Sequence, residues 1–137
     1  MKSEYILENV EQMREFARRF AHTLTAPRCV ALHGDLGMGK SEIARAIIQE
    51  LRGANTVVPS PTFTIVQSYG GISHFDLYRI NDASELTEIG LDYALQNDIT
   101  LIEWPDIALN ILPHDAIHLY ITQYGNGRKI MINPDHM

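Results

Sequence analysis

The sequence has very little cysteine, no surplus of positive charge and no long apolar run. Its single cysteine, Cys29, lies in a short apolar segment, which excludes a disulfide framework and favours a buried core residue over a nucleophile. The formal net charge of −6 argues against a protein whose main task is to hold a phosphate backbone. No stretch approaches the ~18 apolar residues of a membrane span, and the N-terminus lacks a signal-peptide core. We therefore expect a cytoplasmic protein without membrane attachment.

Length and composition are those of one small globular domain. The 137 residues are 45% hydrophobic and 20% charged, and no repeat, low-complexity segment or linker divides them. We expect a single domain spanning 1–137 that is a monomer when free. The six histidines have no metal-ligand spacing, so His33 and His74 are interpreted as structural residues.

The most informative segment is a G-x-x-x-x-G-K-S motif between an apolar run and an amphipathic helical pattern. It consists of Gly34, Asp35, Leu36, Gly37, Met38, Gly39, Lys40 and Ser41. In a P-loop, backbone N–H groups surround phosphates and the following helix adds the positive end of its dipole. Lys40 would reach the β- and γ-phosphates, and the Ser41 hydroxyl would coordinate Mg²⁺. The motif therefore predicts a site for a nucleoside triphosphate with Mg²⁺.

Periodicity and turn residues predict a mixed β-sheet flanked by helices. Asn9 is a candidate N-cap for a first helix with an apolar face, and a second helix runs from the P-loop to Gly53. Strands are predicted at 29–32, 56–58, 63–69, 72–79, 100–103, 117–121 and 128–132, with short helices near 84–90 and 93–95. Glycines at 70–71 and at 125 and 127 predict two hairpins. The expected fold is an α/β, P-loop NTPase-like domain of three layers with a C-terminal β-hairpin.

Hydrolysis or phosphoryl transfer needs an acid beside the P-loop, and two residues are candidates. Glu103 closes an apolar strand, which matches a Walker B layout. Asp76 is the second candidate, and an exposed strand position is its plain alternative. Thr62 lies either in a switch loop that senses the γ-phosphate or in an ordinary turn. An arginine finger could come from Arg79, from Arg128 or from a partner protein.

Four segments together resemble the TsaE (YjeE) family of small bacterial P-loop ATPases. They are the P-loop, S-P-T-F-T at 60–64, H-F-D-L-Y-R at 74–79 and L-I-E-W-P at 101–105, and their order and spacing fit over nearly the whole chain. The resemblance implies a Mg²⁺-dependent ATPase needed to make threonylcarbamoyladenosine in tRNA. It also implies action with TsaD and TsaB, with ATP turnover resetting that complex and tRNA contacted only through it.

The resemblance further implies a role for individual residues. It puts Ser41 and Glu103 on Mg²⁺, makes Asp76 a catalytic or metal-shell acid, and gives Thr62 a switch-like role near the γ-phosphate. Trp104 matches a tryptophan of the nucleotide site or of a partner contact, although a lone tryptophan is more often packing.

Two positions around the expected nucleotide need separate comment. Arg128 falls where the family often has a basic residue near the nucleotide. The family usually reads G-K-T-T, whereas this chain has Ser41 and Glu42 after the lysine. Ser41 keeps the hydroxyl, but an ionised Glu42 cannot donate to the α-phosphate. Glu42 would repel that phosphate if it faced it and would only lose one bond if it turned outward, so we predict weaker nucleotide binding in an intact site.

Two other functions remain open from the sequence. One is a small-molecule kinase on a P-loop scaffold, against which the chain has no arginine-rich lid segment and no long insertion. The other is a non-catalytic interaction switch in which Glu103 and Thr62 only sense phosphate.

Overall fold

The computed structural model describes residues 3–59 and 65–133, and within these ranges seven strands form one mixed sheet. In the sheet the strands follow the order β1-β7-β6-β2-β5-β4-β3. Their bounds are β1 (Glu4–Leu7), β2 (Arg28–His33), β3 (Val66–Ser68), β4 (Ile72–Asp76), β5 (Ile99–Glu103), β6 (Ile117–Tyr124) and β7 (Gly127–Asn133).

The centre of the sheet is parallel and its margins are antiparallel. Strand β2 pairs in parallel with β5 and β6, and β5 pairs in parallel with β4. Strand β7 runs antiparallel to both β6 and β1, and β3 runs antiparallel to β4. The carboxyl ends of β2, β4, β5 and β6 therefore lie at one edge of the sheet, and β7 begins at that same edge. Ligands of open α/β sheets bind beyond such carboxyl ends.

Helices cover both faces of the sheet. They are α1 (Val10–Ala21), α2 (Lys40–Arg52), α3 (Glu85–Glu88), α4 (Leu91–Asn97) and a 3₁₀ helix at Pro105–Ile111. The first begins with the predicted capping box: Asn9 accepts from the Gln12 N–H at 2.9 Å, and Gln12 accepts from the Glu8 N–H at 2.7 Å. Among the described residues, no helix is long and apolar enough to cross a membrane.

Alternating strand residues divide the core between the two faces. Leu101 packs in the larger cluster under α1 and α2, whereas its neighbour Ile102 packs in the cluster under α3, α4 and the 3₁₀ helix. Burying a side chain of this size stabilises the fold by roughly 1.5–3 kcal/mol. Cys29 belongs to the second cluster, where burial raises the pKa of its thiol to about 12. This confirms Cys29 as a buried core residue.

The mixed sheet, the flanking helices and the C-terminal hairpin confirm the predicted architecture, while several local predictions were wrong. Residues 56–58 form no strand, and Val57 is 81% exposed. Strand β1, which pairs with β7, was not predicted. Strand β4 ends at Asp76 instead of continuing to 79, because the Asp76 carboxylate accepts the Tyr78 N–H at 3.0 Å and closes a turn.

Candidate nucleotide site

The P-loop connects β2 to α2 at the carboxyl edge of the sheet. Gly39 immediately precedes the helix with φ 105°, a left-handed conformation that favours glycine. A Cβ atom at this position would lie 2.4 Å from Cε of Met13 in α1. The left-handed φ therefore favours glycine at this turn, and the flexible end of the Met13 side chain would have to shift for a larger residue. Lys40 is the first helical residue.

Lys40 places a cationic side chain inside this loop. The residue is only 5% exposed, and burial lowers the pKa of its ammonium group. The ammonium group donates to the carbonyl oxygen of Gly34, and its Nζ lies 3.3 Å from the centroid of the Trp104 ring. A buried ammonium held by one loop carbonyl and an aromatic face is a strong donor for an anion.

Trp104 reaches this position through an unusual backbone conformation. It has φ 55° and ψ 59°, and within the described ranges it is the only residue other than glycine with a positive φ. Such a conformation is strained for a bulky residue and concentrates at ligand sites. It ends β5 and turns the indole towards Lys40 and towards Tyr78, whose ring centroid is 4.9 Å away.

Glu103, at the end of β5, contacts the hydroxyl of Ser41 in the P-loop motif. Ser41 Oγ donates to the carboxylate, at 2.9 Å from Oε1 and 3.1 Å from Oε2. Glu103 is 2% exposed, and the Nε2 atom of His74 lies 2.7 Å from its Oε2. A buried carboxylate and a hydroxyl are thus held together beside Lys40, as the sequence motifs predict for a metal and phosphate site.

Asp76 is the neighbour of Glu103 across the sheet. The two residues are register partners of β4 and β5. Burial raises the pKa of the Asp76 carboxyl, and the charge of Glu103 adds to the rise, while the Tyr78 N–H opposes it. Both candidate acids therefore lie at the carboxyl edge, and Asp76 is partly buried, not a plain exposed strand residue.

Arg128 forms hydrogen bonds with the backbone of the P-loop. Its Nε donates to the Met38 carbonyl at 3.2 Å, and its Nη2 donates to the Gly37 carbonyl at 3.1 Å. The same guanidinium donates to Gln123 Oε1 at 3.0 Å. Arg128 thus braces the backbone of the P-loop.

Glu42 is turned away from the loop. Its carboxylate accepts from Arg14 Nε at 2.6 Å and from Arg45 Nη1 at 2.8 Å. Of the two arrangements that the sequence leaves open, the structure has the outward one. The weaker nucleotide binding expected from Glu42 stays a prediction.

The other predicted site residues have different outcomes. Asp35 and Leu36 follow Gly34 in the P-loop, and both are exposed, with Leu36 70% exposed. Thr62 lies outside the described residues. His74 was predicted to be merely structural, but its Nε2 atom lies 2.7 Å from Glu103 Oε2. Its position two residues before Asp76, on the same face of β4, was the signal that could have identified it.

Within 3–59 and 65–133, no group of three or more histidine, cysteine or acidic side chains could hold a metal by itself. Mg²⁺ is commonly held by one or two protein ligands together with substrate phosphates and water. Ser41 and Glu103 offer the hard oxygen atoms of such a partial set. The residues present therefore fit a metal that arrives with a nucleotide.

The chain is similar to known proteins in both its sequence and its fold. A family model described as threonylcarbamoyl adenosine biosynthesis protein TsaE matches residues 7–130. A protein of Rickettsia bellii named tRNA threonylcarbamoyladenosine biosynthesis protein TsaE is 38% identical over 134 residues, which are 95% of this chain and 93% of the relative. The Haemophilus influenzae protein of that name is 37% identical over 138 residues, covering 93% and 86%.

Among solved structures, YdiB of Bacillus subtilis has a similar fold. Its TM-score is 0.73 at 24% sequence identity, with 94% of this chain and 82% of YdiB covered. The predicted P-loop-type α/β fold is confirmed.

Proposed function

The chain belongs to the TsaE family of threonylcarbamoyladenosine biosynthesis proteins, and from this premise we propose that it binds ATP with Mg²⁺ at its P-loop and hydrolyses the ATP. We propose homologues of TsaD and TsaB as its partners, with tRNA reached only through them. The observation that carries the proposal is the contact between Ser41 and Glu103 beside the buried Lys40. The net charge of −6 supports an indirect contact with tRNA.

Phosphate binding is the task of the loop and of Lys40. The first N–H groups of α2 have no partner within the helix and are available to an anion. Lys40 donates to a neutral carbonyl of its own loop, and a phosphate oxygen is a stronger acceptor. The lysine would therefore exchange Gly34 for the β- and γ-phosphates when nucleotide enters.

Ser41 and Glu103 are the residues that would hold Mg²⁺. When bound, Mg²⁺ would neutralise charge on the β- and γ-phosphates. Ser41 stands at the first turn of α2 and Glu103 at the end of β5, so two separate elements fix the two oxygen ligands.

Glu103 or Asp76 would orient the attacking water. In the step, the water oxygen bonds to the γ-phosphorus, the bond to the bridging oxygen breaks, and ADP and phosphate leave. The water proton passes to a carboxylate or to solvent. Because burial raises the pKa of Asp76, this carboxylate accepts a proton more readily than an exposed aspartate does. The task is mainly one of positioning, so we expect slow turnover by the isolated protein.

The test is ATP hydrolysis by the purified protein, alone and with TsaB and TsaD homologues of its own organism. Wild type is compared with Glu103→Gln, and Glu88→Gln on the exposed side of α3 is the matched control. We expect stimulation by the partners that disappears in Glu103→Gln and persists in the control. A labelled ATP analogue measures binding separately.

The remaining outcomes identify the alternatives. Turnover that is unchanged by the partners contradicts the proposed function. ADP formed only in the presence of a small acceptor indicates a kinase, and nucleotide binding without any turnover indicates a switch.

A further inference from the structure

We propose that His74 is a positioning residue that orients the carboxylate of Glu103 for the metal side of the nucleotide site. The proposal rests on the proposed function, because it assumes that Glu103 serves a Mg²⁺ ion bound with ATP. It adds a residue to which the sequence motifs gave no chemical role.

The contact between the two side chains is short and buried. His74 Nε2 lies 2.7 Å from Glu103 Oε2, and both side chains are 3% exposed. They come from neighbouring parallel strands, β4 and β5. The other carboxylate oxygen, Oε1, lies 2.9 Å from Ser41 Oγ. The imidazole therefore contacts Oε2, whereas the P-loop hydroxyl lies within reach of both oxygens, with Oε1 nearer at 2.9 Å and Oε2 at 3.1 Å.

Because Glu103 is buried, its carboxylate needs the contact with His74 to hold a defined orientation. Removal of a carboxylate from water costs free energy unless N–H or O–H donors replace the solvent. Because a carboxylate only accepts hydrogen bonds, the tautomer that satisfies this contact has the hydrogen on His74 Nε2, and its N–H group donates to Oε2. This donor holds Oε2 and favours the orientation in which Oε1 is the oxygen nearer to Ser41 Oγ. Partners that orient a metal ligand in this way typically contribute about 10–100-fold to metal affinity.

His74 acts through Glu103 and does not itself reach the nucleotide. In the β4–β5 register, Asp76 pairs with Glu103 at the sheet edge, whereas His74 pairs with Leu101, two residues further from that edge. On the other side of β4, His74 pairs with Gln67 of β3. The imidazole is thus buried on the face of the sheet that also carries Leu101 and Glu103, and it lies further from the carboxyl edge than the two acids do.

The experiment measures how much Mg²⁺ strengthens nucleotide binding. A fluorescent ATP analogue is titrated with and without Mg²⁺. The dissociation constant without Mg²⁺ is divided by the one with Mg²⁺, and this ratio is compared between variants. His74→Leu fills the site without a donor, whereas His74→Gln keeps an N–H at a similar reach from the backbone. We expect His74→Leu to lower the ratio about tenfold with metal-free affinity unchanged, and His74→Gln to recover most of it.

Thermal unfolding of each variant separates positioning from packing. A His74→Leu protein with lower stability but a wild-type ratio overturns the proposal, and so does a ratio that neither substitution changes. If His74→Leu does not fold, His74→Asn replaces it, since its amide is too short to reach Glu103. A wild-type protein whose nucleotide affinity is indifferent to Mg²⁺ overturns the proposed function itself, which distinguishes the two failures.

Discussion

The two halves of the sheet reach the same edge in different ways. In the parallel half, β2, β4 and β5 end at this edge, and Lys40, Asp76 and Glu103 follow or close those strands. In the antiparallel half, β7 starts at the edge, and Arg128 contacts the backbone of the loop. The parallel half thus carries the groups that would meet the ligand, and the antiparallel half supports the loop that holds them.

Strand direction explains this division. Parallel strands bring their carboxyl ends together, so charged side chains from separate segments become neighbours there. An antiparallel strand brings its first residues to the same edge, and here those residues belong to a tight hairpin. Substitution of Lys40, next to the edge of the parallel half, should therefore mainly change ligand binding. Substitution of Gly127, at the start of β7, should mainly change folding, and Arg128 connects the two halves.

The largest effect on ligand binding is expected for Lys40→Ala. The change removes the buried ammonium group that donates inside the loop, and we expect nucleotide affinity to fall by about 3 kcal/mol, or roughly a hundredfold. Calorimetric titration with ATP measures the loss. Lys129→Ala is the matched control, because Lys129 pairs with Glu4 on β1. Equal losses of nucleotide affinity in the two variants would contradict the proposed division between a ligand-binding half and a supporting half.

The largest effect on folding is expected for Gly127→Ala, at the start of β7. A Cβ atom there would lie 2.1 Å from the carbonyl oxygen of Leu7 in β1, and backbone cannot move aside as a side chain does. We expect the free energy of unfolding to fall by about 2 kcal/mol, measured by urea denaturation. Asn126→Ala, in the exposed turn, should change it little. A wild-type unfolding curve for Gly127→Ala would contradict the close approach of β1 and β7.

Arg128→Ala tests the connection between the halves. Its guanidinium donates to the Gly37 and Met38 carbonyls, so its removal should loosen the loop and weaken nucleotide binding by about 1 kcal/mol. Hydrogen exchange of residues 34–40 should rise in the nucleotide-free variant. Gln123→Ala removes a neighbour of the guanidinium and leaves those carbonyl contacts in place, which makes it the control. Unchanged exchange in Arg128→Ala would show that the loop is rigid without this brace.

A smaller effect is expected for Glu42→Thr. The substitution removes the ion pair with Arg14 of α1 and adds a hydroxyl beside the P-loop. Loss of the contacts to Arg14 and Arg45 should lower stability only slightly, because such exposed or partly exposed pairs contribute little. The new hydroxyl should strengthen ATP binding by about 1 kcal/mol. Glu42→Ala removes the same contacts without adding a donor. If both variants bind ATP no better than wild type, the carboxylate does not weaken the site.

The smallest effect is expected at the junction of the halves, where His33 of β2 meets His118 of β6 at 2.9 Å. Burial lowers the pKa of both imidazoles, and for His33 the charge of His118 adds to this, while Asp106 opposes it. Below the ordinary pKa of about 6.5 the unfolded chain binds more protons than the folded chain. Stability is therefore complete above that pH and falls as the pH drops towards the lower folded values.

Urea denaturation between about pH 5 and about pH 8 measures this dependence. His118→Asn keeps a polar atom near His33 but does not titrate, so its profile should be flatter than that of wild type. His114→Asn, at an exposed position, serves as the control. A wild-type slope in His118→Asn would exclude the pair as the cause.

Local signals in the sequence predicted much of the fold. The P-loop, the capping box at Asn9 and the glycine turns each depend on a few neighbouring residues, and the structure has them where they were expected. Strand β1 was missed because four residues carry little periodicity and their pairing with β7 spans most of the chain. The strand at 56–58 was wrong because an apolar run need not be buried, and Val57 is exposed.

The site was less predictable than the loop at its centre. Glu103 and Asp76 could be selected because each ends a strand segment in a recognisable motif. The spacing of His74 from Asp76 indicates a shared face of β4, but the contact of His74 with Glu103 also depends on the register of β4 and β5, which the sequence does not reveal. The pairing of Glu42 with Arg14 joins residues 28 positions apart on two helices, so no local pattern indicates it.

The left-handed turn at Trp104 gives the chain an optical probe of its own site. The sequence has one tryptophan, and its ring lies beneath the Lys40 ammonium, 3.3 Å from Nζ. A cation this close to an indole alters its emission, and the ammonium group would change its position relative to the ring if it exchanged the Gly34 carbonyl for phosphate oxygens. Light that tyrosine does not absorb would excite this single ring. Ligand entry could then be followed by intrinsic fluorescence, with no label attached to the protein.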